Sequence, residues 1–167
     1  MVPETLNNMA LYVDGRGFAG RSPEVNPPKL KLKTEDYRAG GMDAPIKVDQ
    51  GMEALQASFS MGSLERDVLK FFGLADGNAF NGTFRGAFRD TKGKVKAVAA
   101  TMRGMLSEYD PGSWKPGDKS EVKYTVELSY YKMEIDGAVV HEFDVLNMIR
   151  VVDGVDQLAD VRKALGM

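Results

Sequence analysis

The chain has 167 residues, of which 43% are hydrophobic and 28% charged, as expected for one globular domain spanning residues 1–167. Its net charge of -2 argues against tight binding to a phosphate backbone, and the lack of cysteine excludes disulfides and thiolate metal sites. The first 15 residues lack the basic and apolar regions of a signal peptide and no long apolar run follows, so we expect a cytoplasmic protein without a direct membrane anchor.

Alternating apolar and polar residues predict three strands in the first third of the chain. They cover residues 9–13, 29–33 and 55–61, and Asp14 and Gly15 predict a hairpin turn after the first of them. The lysines of the second strand, KLKLK, are typical of an edge strand that is protected against unwanted pairing.

Residues 37–55, YRAGGMDAPIKVDQGMEAL, form a projecting segment that is too long and too rich in glycine for an ordinary hairpin turn. Gly40 and Gly41 let the backbone turn without a Cβ clash, and Pro45 marks the return to extended structure. Ile46 and Val48 would be exposed to water in a monomer. The segment is therefore predicted to contact another subunit.

A helix, two strands and a turn are predicted between residues 63 and 106. Ser63 suits the N-cap of the helix, Gly73 ends it, and its inward stripe comprises Leu64, Val68, Phe71 and Phe72. Residues 80–89 form a strand with three phenylalanines and two glycines on one side, followed by a turn at 91–94 and a long strand over 95–106.

The last third of the chain predicts a bulged strand, its partner and a short helix. Alternation over residues 122–135 slips by one at Tyr130 or Tyr131, which indicates a β-bulge. A tight turn at residues 136–137 leads into a return strand over residues 138–152. Asp156 can cap a helix whose Leu158, Val161 and Leu165 are predicted to face inward.

These elements predict a mainly β fold, a β-sandwich or partial barrel with one flanking α-helix and a short C-terminal helix. Several strands are ten or more residues long, and long strands expose edges that must be covered or paired with another chain. We therefore expect the protein to assemble.

No motif indicates catalysis, a cofactor or a metal. GRGFAG at residues 15–20 matches G-x-G-x-x-G, but prolines follow where a phosphate-binding helix would have to begin. His141 is the only histidine, and carboxylates such as Glu134 and Asp136 fall at turns. Hydrolysis by a carboxylate pair and a small-ligand-binding β-barrel remain as alternative hypotheses.

The chain resembles the major tail tube proteins of contractile-tailed phages, in the branch that includes the tubes of R-type pyocins. The resemblance rests on YRAGGMDAPIKVDQGMEALQASFS, FFGLADGNAFNGTFRGAFRD, DPGSWKPGDKSEVKYTVELSYYKMEIDG and NMIRVVDGVDQLADVRKALGM, in order along the whole chain. It implies a structural protein without enzymatic activity, with a ring-forming fold similar to the type VI secretion tube, which is also the nearest rival assignment.

The resemblance further implies hexameric rings that stack into a hollow tube inside a contractile sheath. The implied partners are further copies of the chain, the tail sheath protein, the tape measure protein, the baseplate and the tail terminator. In a phage, DNA would pass through without sequence-specific binding. Assembly is expected in the bacterial cytoplasm, and the product is a virion tail or a released tailocin.

Three groups of residues follow as candidate sites. The inter-subunit contact is assigned to the projecting segment, with Tyr37, Arg38, Gly40, Gly41, Met42, Asp43, Pro45, Ile46, Val48 and Met52. The channel lining is assigned to polar positions in and beside this segment: Glu35, Asp49, Glu53, Gln56 and Ser58. The sheath contact is assigned to the C-terminal helix, with Asp156, Asp160, Arg162 and Lys163.

Overall fold

The computed structural model describes residues 2–73 and 80–167, which are dominated by strands. In chain order the elements are β1 (Thr5–Val13), β2 (Arg16–Gly17), β3 (Glu24–Asn26), β4 (Leu32–Tyr37), β5 (Ile46–Met52), β6 (Leu55–Met61), α1 (Arg66–Leu69), β7 (Phe80–Arg89), β8 (Val95–Asp110), β9 (Val122–Ile135), β10 (Ala138–Asp144), β11 (Ile149–Val152), β12 (Val155–Asp156) and α2 (Ala159–Ala164). The predicted mainly β fold is confirmed, with two short helices.

Ten strands form one antiparallel sheet, and β4 and β5 form a separate hairpin. The long path through the sheet runs β12-β11-β10-β9-β8-β7-β1-β2, while β6 pairs with β9 and with β3. Because β8 takes one edge of β9, the other edge is shared, by β6 along its first half and by β10 along its second half.

The sheet curls strongly around one hydrophobic core. β6 and β7 are separated by two strands, which would place them about 14 Å apart in a flat sheet. Nevertheless the rings of Phe59 on β6 and Phe80 on β7 stack with centroids 5.7 Å apart. Phe59 also stacks on Tyr124 of β9 at 5.0 Å, and Val68 of α1 is buried against this core. The curvature agrees with the predicted partial barrel.

The β-bulge in β9 marks the point where its partner changes from β6 to β10. Arg103 of β8 pairs with Tyr130 and Gly104 pairs with Leu128, so Ser129 is the extra residue. The bulge therefore lies one residue before the predicted position. It keeps the buried side chains of both halves of β9 on the core side despite the change in phase.

Opposite the bulge, the two backbones approach so closely that only glycine fits. A Cβ built on Gly104 would lie 2.0 Å from the carbonyl oxygen of Glu127, far inside van der Waals contact. The bulge and Gly104 thus form one structural unit.

The predicted tight turns are confirmed, but the predicted return strand is too long. Asp136 and Gly137 have positive φ angles of 50° and 83°, as the two-residue hairpin requires. β10 ends at Asp144, whose carboxylate accepts hydrogen bonds from the backbone and side-chain amides of Asn147. This side-chain turn reverses the chain, so residues 149–152 pair back onto β10 as β11.

The predicted strand over residues 29–33 is also misplaced, because β4 begins only at Leu32 and continues to Tyr37. By contrast, β8 is longer than predicted and reaches Asp110.

The helix predicted over residues 63–73 is reduced to the single turn α1. Ser63 does not cap it, since its hydroxyl donates to the Glu65 carboxylate instead of accepting from a backbone amide. After this turn Phe72 bridges to Leu106 of β8, and the Gly73 amide donates to the Leu106 carbonyl. Sheet pairing therefore ends the helix early.

The predicted C-terminal helix α2 forms, but its N-cap is Leu158 and not Asp156, whose carboxylate accepts a hydrogen bond from the Leu158 amide just before the helix. Two of the apolar residues predicted to face inward do not. Val161 and Leu165 are 46% and 59% exposed, whereas Leu158 is half-buried. With six residues, α2 is too short to present a full apolar stripe to the sheet.

Candidate assembly surfaces: the arm hairpin and the groove at its base

The projecting segment is the distal part of a two-stranded β-ribbon, which we call the arm hairpin (residues 32–52). β4 and β5 pair from Leu32 opposite Met52 to Tyr37 opposite Ile46, so the projection begins five residues earlier than predicted. At the tip, the Met42 amide donates to the Ala39 carbonyl and Gly41 has a φ of 86°. The arm hairpin pairs with no other strand among the described residues.

The arm hairpin has two chemically different faces. One face carries Tyr37, Ile46 and Val48, which are 55%, 54% and 36% exposed, together with Glu35 opposite Val48. The other carries Lys47, whose ammonium lies 2.5 Å from a carboxylate oxygen of Asp36. A two-stranded ribbon alone in water is only marginally stable. Contact of the apolar face with another surface would therefore stabilise the arm hairpin.

The base of the arm hairpin is fixed to the sheet by an ion pair. A guanidinium nitrogen of Arg150 on β11 donates to Asp49 Oδ2 at 2.7 Å, and the Gly51 amide donates to Asp49 Oδ1 at 2.8 Å. The hydrogen bond from Arg150, with that from Gly51 next, lowers the pKa of Asp49 below its ordinary value. Met52 packs against the core.

A large apolar cleft, which we call the groove, lies beside this base. Its volume is about 550 Å³, and its walls come from the end of β5, the β10–β11 turn and α2. Its apolar lining comprises Met52, Leu55, Leu128, Phe143, Val145, Met148, Ile149, Leu158 and Val161. Val161, exposed on α2, is thereby explained as part of a groove wall.

The predicted sheath residues divide into two pairs. Asp156 and Arg162 form an ion pair at 2.5 Å, and Arg162 also donates to the Met148 carbonyl at 2.8 Å, which ties α2 to the β10–β11 turn. This ion pair lowers the pKa of Asp156 and raises that of Arg162. Asp160 and Lys163 point their charges to solvent, where a partner can reach them.

The five predicted channel residues are not brought together. Glu35 lies on the apolar face of the arm hairpin and Asp49 in the ion pair with Arg150, while Glu53 lies 3.7 Å from the Lys31 ammonium. Gln56 and Ser58 alone share the outward side of β6. The Gln56 amide donates to the Glu127 carboxylate at 2.7 Å, and Ser58 accepts from the Asn26 amide.

The outward side of the sheet continues across β9, β8 and β7 as a surface that we call the polar sheet face. Its rows follow the strand register: Asn81, Arg103 and Tyr130; Thr83, Thr101 and Lys132; Arg85, Ala99 and Glu134. Lys132 lies 2.9 Å from Glu134 and forms an ion pair with it, and the Arg103 guanidinium stacks 4.4 Å from the Tyr130 ring centroid. In the sequence, this face corresponds to the polar positions of the strands in which polar and apolar residues alternate.

Within the described residues, His141, the carboxylates and the glycine-rich stretch 15–20 do not form a catalytic, metal or phosphate site. The His141 ring stacks on Phe143 at 5.7 Å, and the described ranges 2–73 and 80–167 hold no cluster of acids and histidine suited to a metal ion. Residues 15–20 contain β2 between two turns and bury Phe18, without the helix that a phosphate site requires. Within the same ranges, no helix could span a bilayer.

Solved structures with the same fold come from contractile injection machines. A chain of the PVC sheath–tube complex in its extended state superposes with a TM-score of 0.61 at 11% identity, covering 79% of this chain and 91% of that one. A chain of the anti-feeding prophage tube-terminating cap gives a TM-score of 0.62 at 10% identity, covering 80% and 92%. At these identities the likeness concerns the fold.

Sequence comparison establishes the family. The tail tube protein of Escherichia phage P2 is 35% identical over 170 residues, covering 99% of both chains. The major tail tube protein of Serratia phage KSP20 is 35% identical over 169 residues, covering 99% of this chain and 98% of its own. The family model for phage tail tube protein FII matches residues 3–166. The chain therefore belongs to the phage tail tube protein FII family, a family of structural proteins and not of enzymes.

Proposed function

We propose that six copies of this chain close into a ring and that the rings stack into the hollow inner tube of a contractile phage tail or a phage-tail-like bacteriocin. The observation that carries the proposal is the arm hairpin, which extends an apolar face into solvent instead of packing it on its own core. Residues 1–167 act as one tube domain in this proposal.

Ring closure is supported by the edges of the sheet. Within the described ranges, β7 covers one edge of β1, whereas β2 covers only Tyr12 and Val13 on the other edge. On β6, β3 pairs only with residues 58–60. A rotation that joins two different edges of identical subunits leaves none open, which is the usual solution for a closed ring.

The polar sheet face, together with Gln56 and Ser58, is proposed to line the channel. The three cations of its rows, Arg85, Arg103 and Lys132, lie on three different strands among neutral side chains. Lys132 also lies next to Glu134, so the face offers DNA no continuous basic track. Phosphate affinity depends on such a track, and a wall with dispersed cations therefore lets DNA or ions pass without holding them.

The proposed partners are the sheath protein, the tape measure protein, the baseplate and the tail terminator. Relatives of the same fold are chains of a sheath–tube complex, a sheath/tube terminator and a baseplate. Asp160 and Lys163 on the solvent side of α2 are proposed to meet the sheath. Assembly would take place in the bacterial cytoplasm, before the virion or tailocin is released.

Electron microscopy of the purified chain tests the proposal. We expect rings with sixfold symmetry and tubes whose length grows with protein concentration, because stacking leaves both ends open. A chain that stays monomeric at every concentration and salt condition, with neither rings nor tubes in the images, would contradict it.

A further inference from the structure

Three hairpin turns of the described chain are made by the dipeptide Asp-Gly. They join β1 to β2 at residues 14–15, β9 to β10 at residues 136–137, and β11 to β12 at residues 153–154. In all three, aspartate has a φ of 50° or 51° and glycine a φ between 77° and 83°. The turns therefore share one backbone conformation, and only their surroundings differ. A further Asp-Gly pair at residues 76–77 lies outside the described residues.

An Asp-Gly sequence can rearrange without any reagent except water. The backbone nitrogen of glycine attacks Cγ of the aspartate side chain, a succinimide ring forms, and the carboxyl hydroxyl leaves with the amide proton as water. Glycine favours the attack because it has no side chain to obstruct it. Water then reopens the ring at either carbonyl, which yields aspartate or isoaspartate. The mass is unchanged, but in isoaspartate the backbone contains one additional CH₂ group.

The attack requires the aspartate carboxyl group to turn toward the next amide, and in one of the three turns this group is held in place. Asp136 Oδ1 accepts a hydrogen bond from the backbone amide of Ala97 at 2.9 Å. The carboxylates of Asp14 and Asp153 accept no hydrogen bond from the residues that the structure describes. Carboxyl rotation is therefore restricted at Asp136 alone.

Ring closure also requires the turn to open, and the turn at residues 153–154 is held weakly. A five-membered ring forces the aspartate ψ away from the value of about 30° that this type of turn requires. The strand after the turn, β12, has only two residues, which pair with Val151 and Val152. Between residues 144 and 167, all of which the structure describes, no side chain is fully buried. Local opening of such a segment costs little free energy.

The other two turns are held more firmly. Residues 136–137 connect strands of 14 and 7 residues, so several backbone hydrogen bonds oppose their opening. The turn at residues 14–15 also leads into a two-residue strand, but Phe18 follows directly and is only 2% exposed. Opening at residues 14–15 must therefore disturb the core.

We infer that Asp153 is a site of spontaneous isomerisation to isoaspartate, that Asp14 reacts more slowly, and that Asp136 is protected. The additional CH₂ group at Asp153 displaces β12 from β11 and so loosens the connection to α2. The Gln157 amide, which donates to the Arg150 carbonyl at 2.8 Å, is the nearest hydrogen bond on that connection. The inference concerns the single chain and does not depend on the proposed tube.

Peptide mapping of the purified full chain tests the order of reactivity. The chain is incubated in warm, weakly acidic buffer, since a neutral carboxyl group loses water more readily than a carboxylate. Trypsin then places the three turns in separate peptides, residues 1–16, 133–150 and 151–162. Chromatography separates each isoaspartyl peptide, and electron-transfer fragmentation assigns the modified residue. A sample unfolded in guanidinium chloride gives the reference rates.

We expect Asp153 to isomerise at least about tenfold faster than Asp136 in the folded chain, with Asp14 between them, because the opening free energies differ. In the unfolded chain the three rates should be similar. Folded-state rates that are equal at the three sites, or fastest at Asp136, would overturn the assignment. So would modification of Asp153 in the unfolded sample alone.

The variant Asp153→Gly tests the consequence for α2. Gly-Gly also supports this turn, and the variant cannot form isoaspartate at this position. Amide hydrogen exchange at Gln157 should become faster when the wild-type chain is aged and should stay unchanged when the variant is aged. Equal acceleration in both proteins would show that isomerisation of Asp153 is not its cause.

Discussion

The curled sheet and the arm hairpin are both antiparallel β-structure, but the sheet buries its apolar side chains and the arm hairpin exposes them. In the sheet, Phe59 stacks between Phe80 and Tyr124, and Gly104 admits no side chain against Glu127. In the arm hairpin, the largest apolar side chains point into solvent. The sheet is completed within the chain, whereas the arm hairpin needs a partner. Stability and assembly should therefore respond to different substitutions.

The largest expected loss of stability comes from the sheet. Gly104→Ala forces a Cβ into the Glu127 carbonyl and must displace one backbone, so we expect the free energy of unfolding to fall by more than about 3 kcal/mol. Urea denaturation measures it. The matched control is Gly40→Ala in the arm hairpin, where a Cβ meets no atom within 4 Å and φ lies outside the left-handed region. Equal losses of unfolding free energy for Gly104→Ala and Gly40→Ala would contradict the distinction between the tightly packed sheet and the open arm hairpin.

Substitution of Tyr124 should change the free energy of unfolding less than Gly104→Ala does, and should raise it. Its hydroxyl is buried without a hydrogen-bond partner among the described residues, so Tyr124→Phe should stabilise the fold by about 1 kcal/mol. Thermal unfolding at pH 7 measures this change. The same substitution at the half-exposed Tyr130, which lies on the polar sheet face, serves as the control. A destabilised Tyr124→Phe variant would show that the hydroxyl contributes to the core.

The same residue predicts how stability depends on alkaline pH. Burial raises the pKa of Tyr124 from 10.0 to about 12, so the unfolded chain releases this proton before the folded chain does. Stability should therefore fall as pH rises above 10. Tyr124→Phe should weaken that dependence without abolishing it, because burial also raises the pKa of Tyr131. Unfolding free energies measured between neutral and alkaline pH for both proteins provide the check.

The ion pair at the base of the arm hairpin should affect the position of the arm more than the stability of the sheet. The Arg150 guanidinium lowers the pKa of Asp49, so the contact is fully formed above the ordinary carboxyl pKa and is lost as pH falls through the lowered value. The amide resonance of Gly51, which donates to Asp49, reports this titration. Asp49→Asn should remove the acid transition from that resonance. A transition that persisted in this variant would assign the titration to another group.

The smallest effect on stability is expected at the apolar face of the arm hairpin. Ile46→Thr should change the free energy of unfolding of the monomer by less than about 0.5 kcal/mol, since this side chain contacts solvent and not the core. It should nevertheless lower the yield of tubes in electron micrographs. Val95→Thr, similarly exposed at the start of β8, is the matched control. A large loss of monomer stability for Ile46→Thr would show that Ile46 stabilises the arm hairpin within one chain, without a partner.

Sequence patterns predicted the sheet well where one face is buried. Alternation placed β6, β7 and β9 correctly, and the glycine turns at residues 14–15 and 136–137 were unambiguous. The slip of one residue in β9 located its bulge to within one position. These features depend on local rules, the period of two and positive φ, which a sequence displays directly.

The errors arose where contacts between residues far apart in the sequence determine the local structure. The stripe of residues 64–72 is a reasonable helix in isolation, but pairing of Phe72 with β8 cuts it to one turn. β4 has no buried face, so the alternation of residues 29–33 did not mark where this strand begins. Asp49 and Arg150 are about a hundred residues apart in the chain, and only the fold brings them together.

The groove was missed for the same reason. Its lining comes from segments near residues 52, 128, 145 and 158, and no single stretch of sequence contains enough of it to be noticed. The exposed apolar side chains of α2 were the available signal. They were assigned to the interior because an amphipathic pattern indicates that a face is covered, without indicating whether the cover comes from the same chain or from another.

The chain enters and leaves the arm hairpin at one point, where the Glu53 amide donates to the Lys31 carbonyl at 2.8 Å. Between these two residues the chain leaves the sheet and returns, and Asp49 and Met52 fix the base of this excursion to the body. Ribbons of other lengths or compositions can therefore replace residues 33–48, beyond this fixed base, without shifting the register of β6 or its neighbours. The length of the projection can thus diverge independently of the sheet.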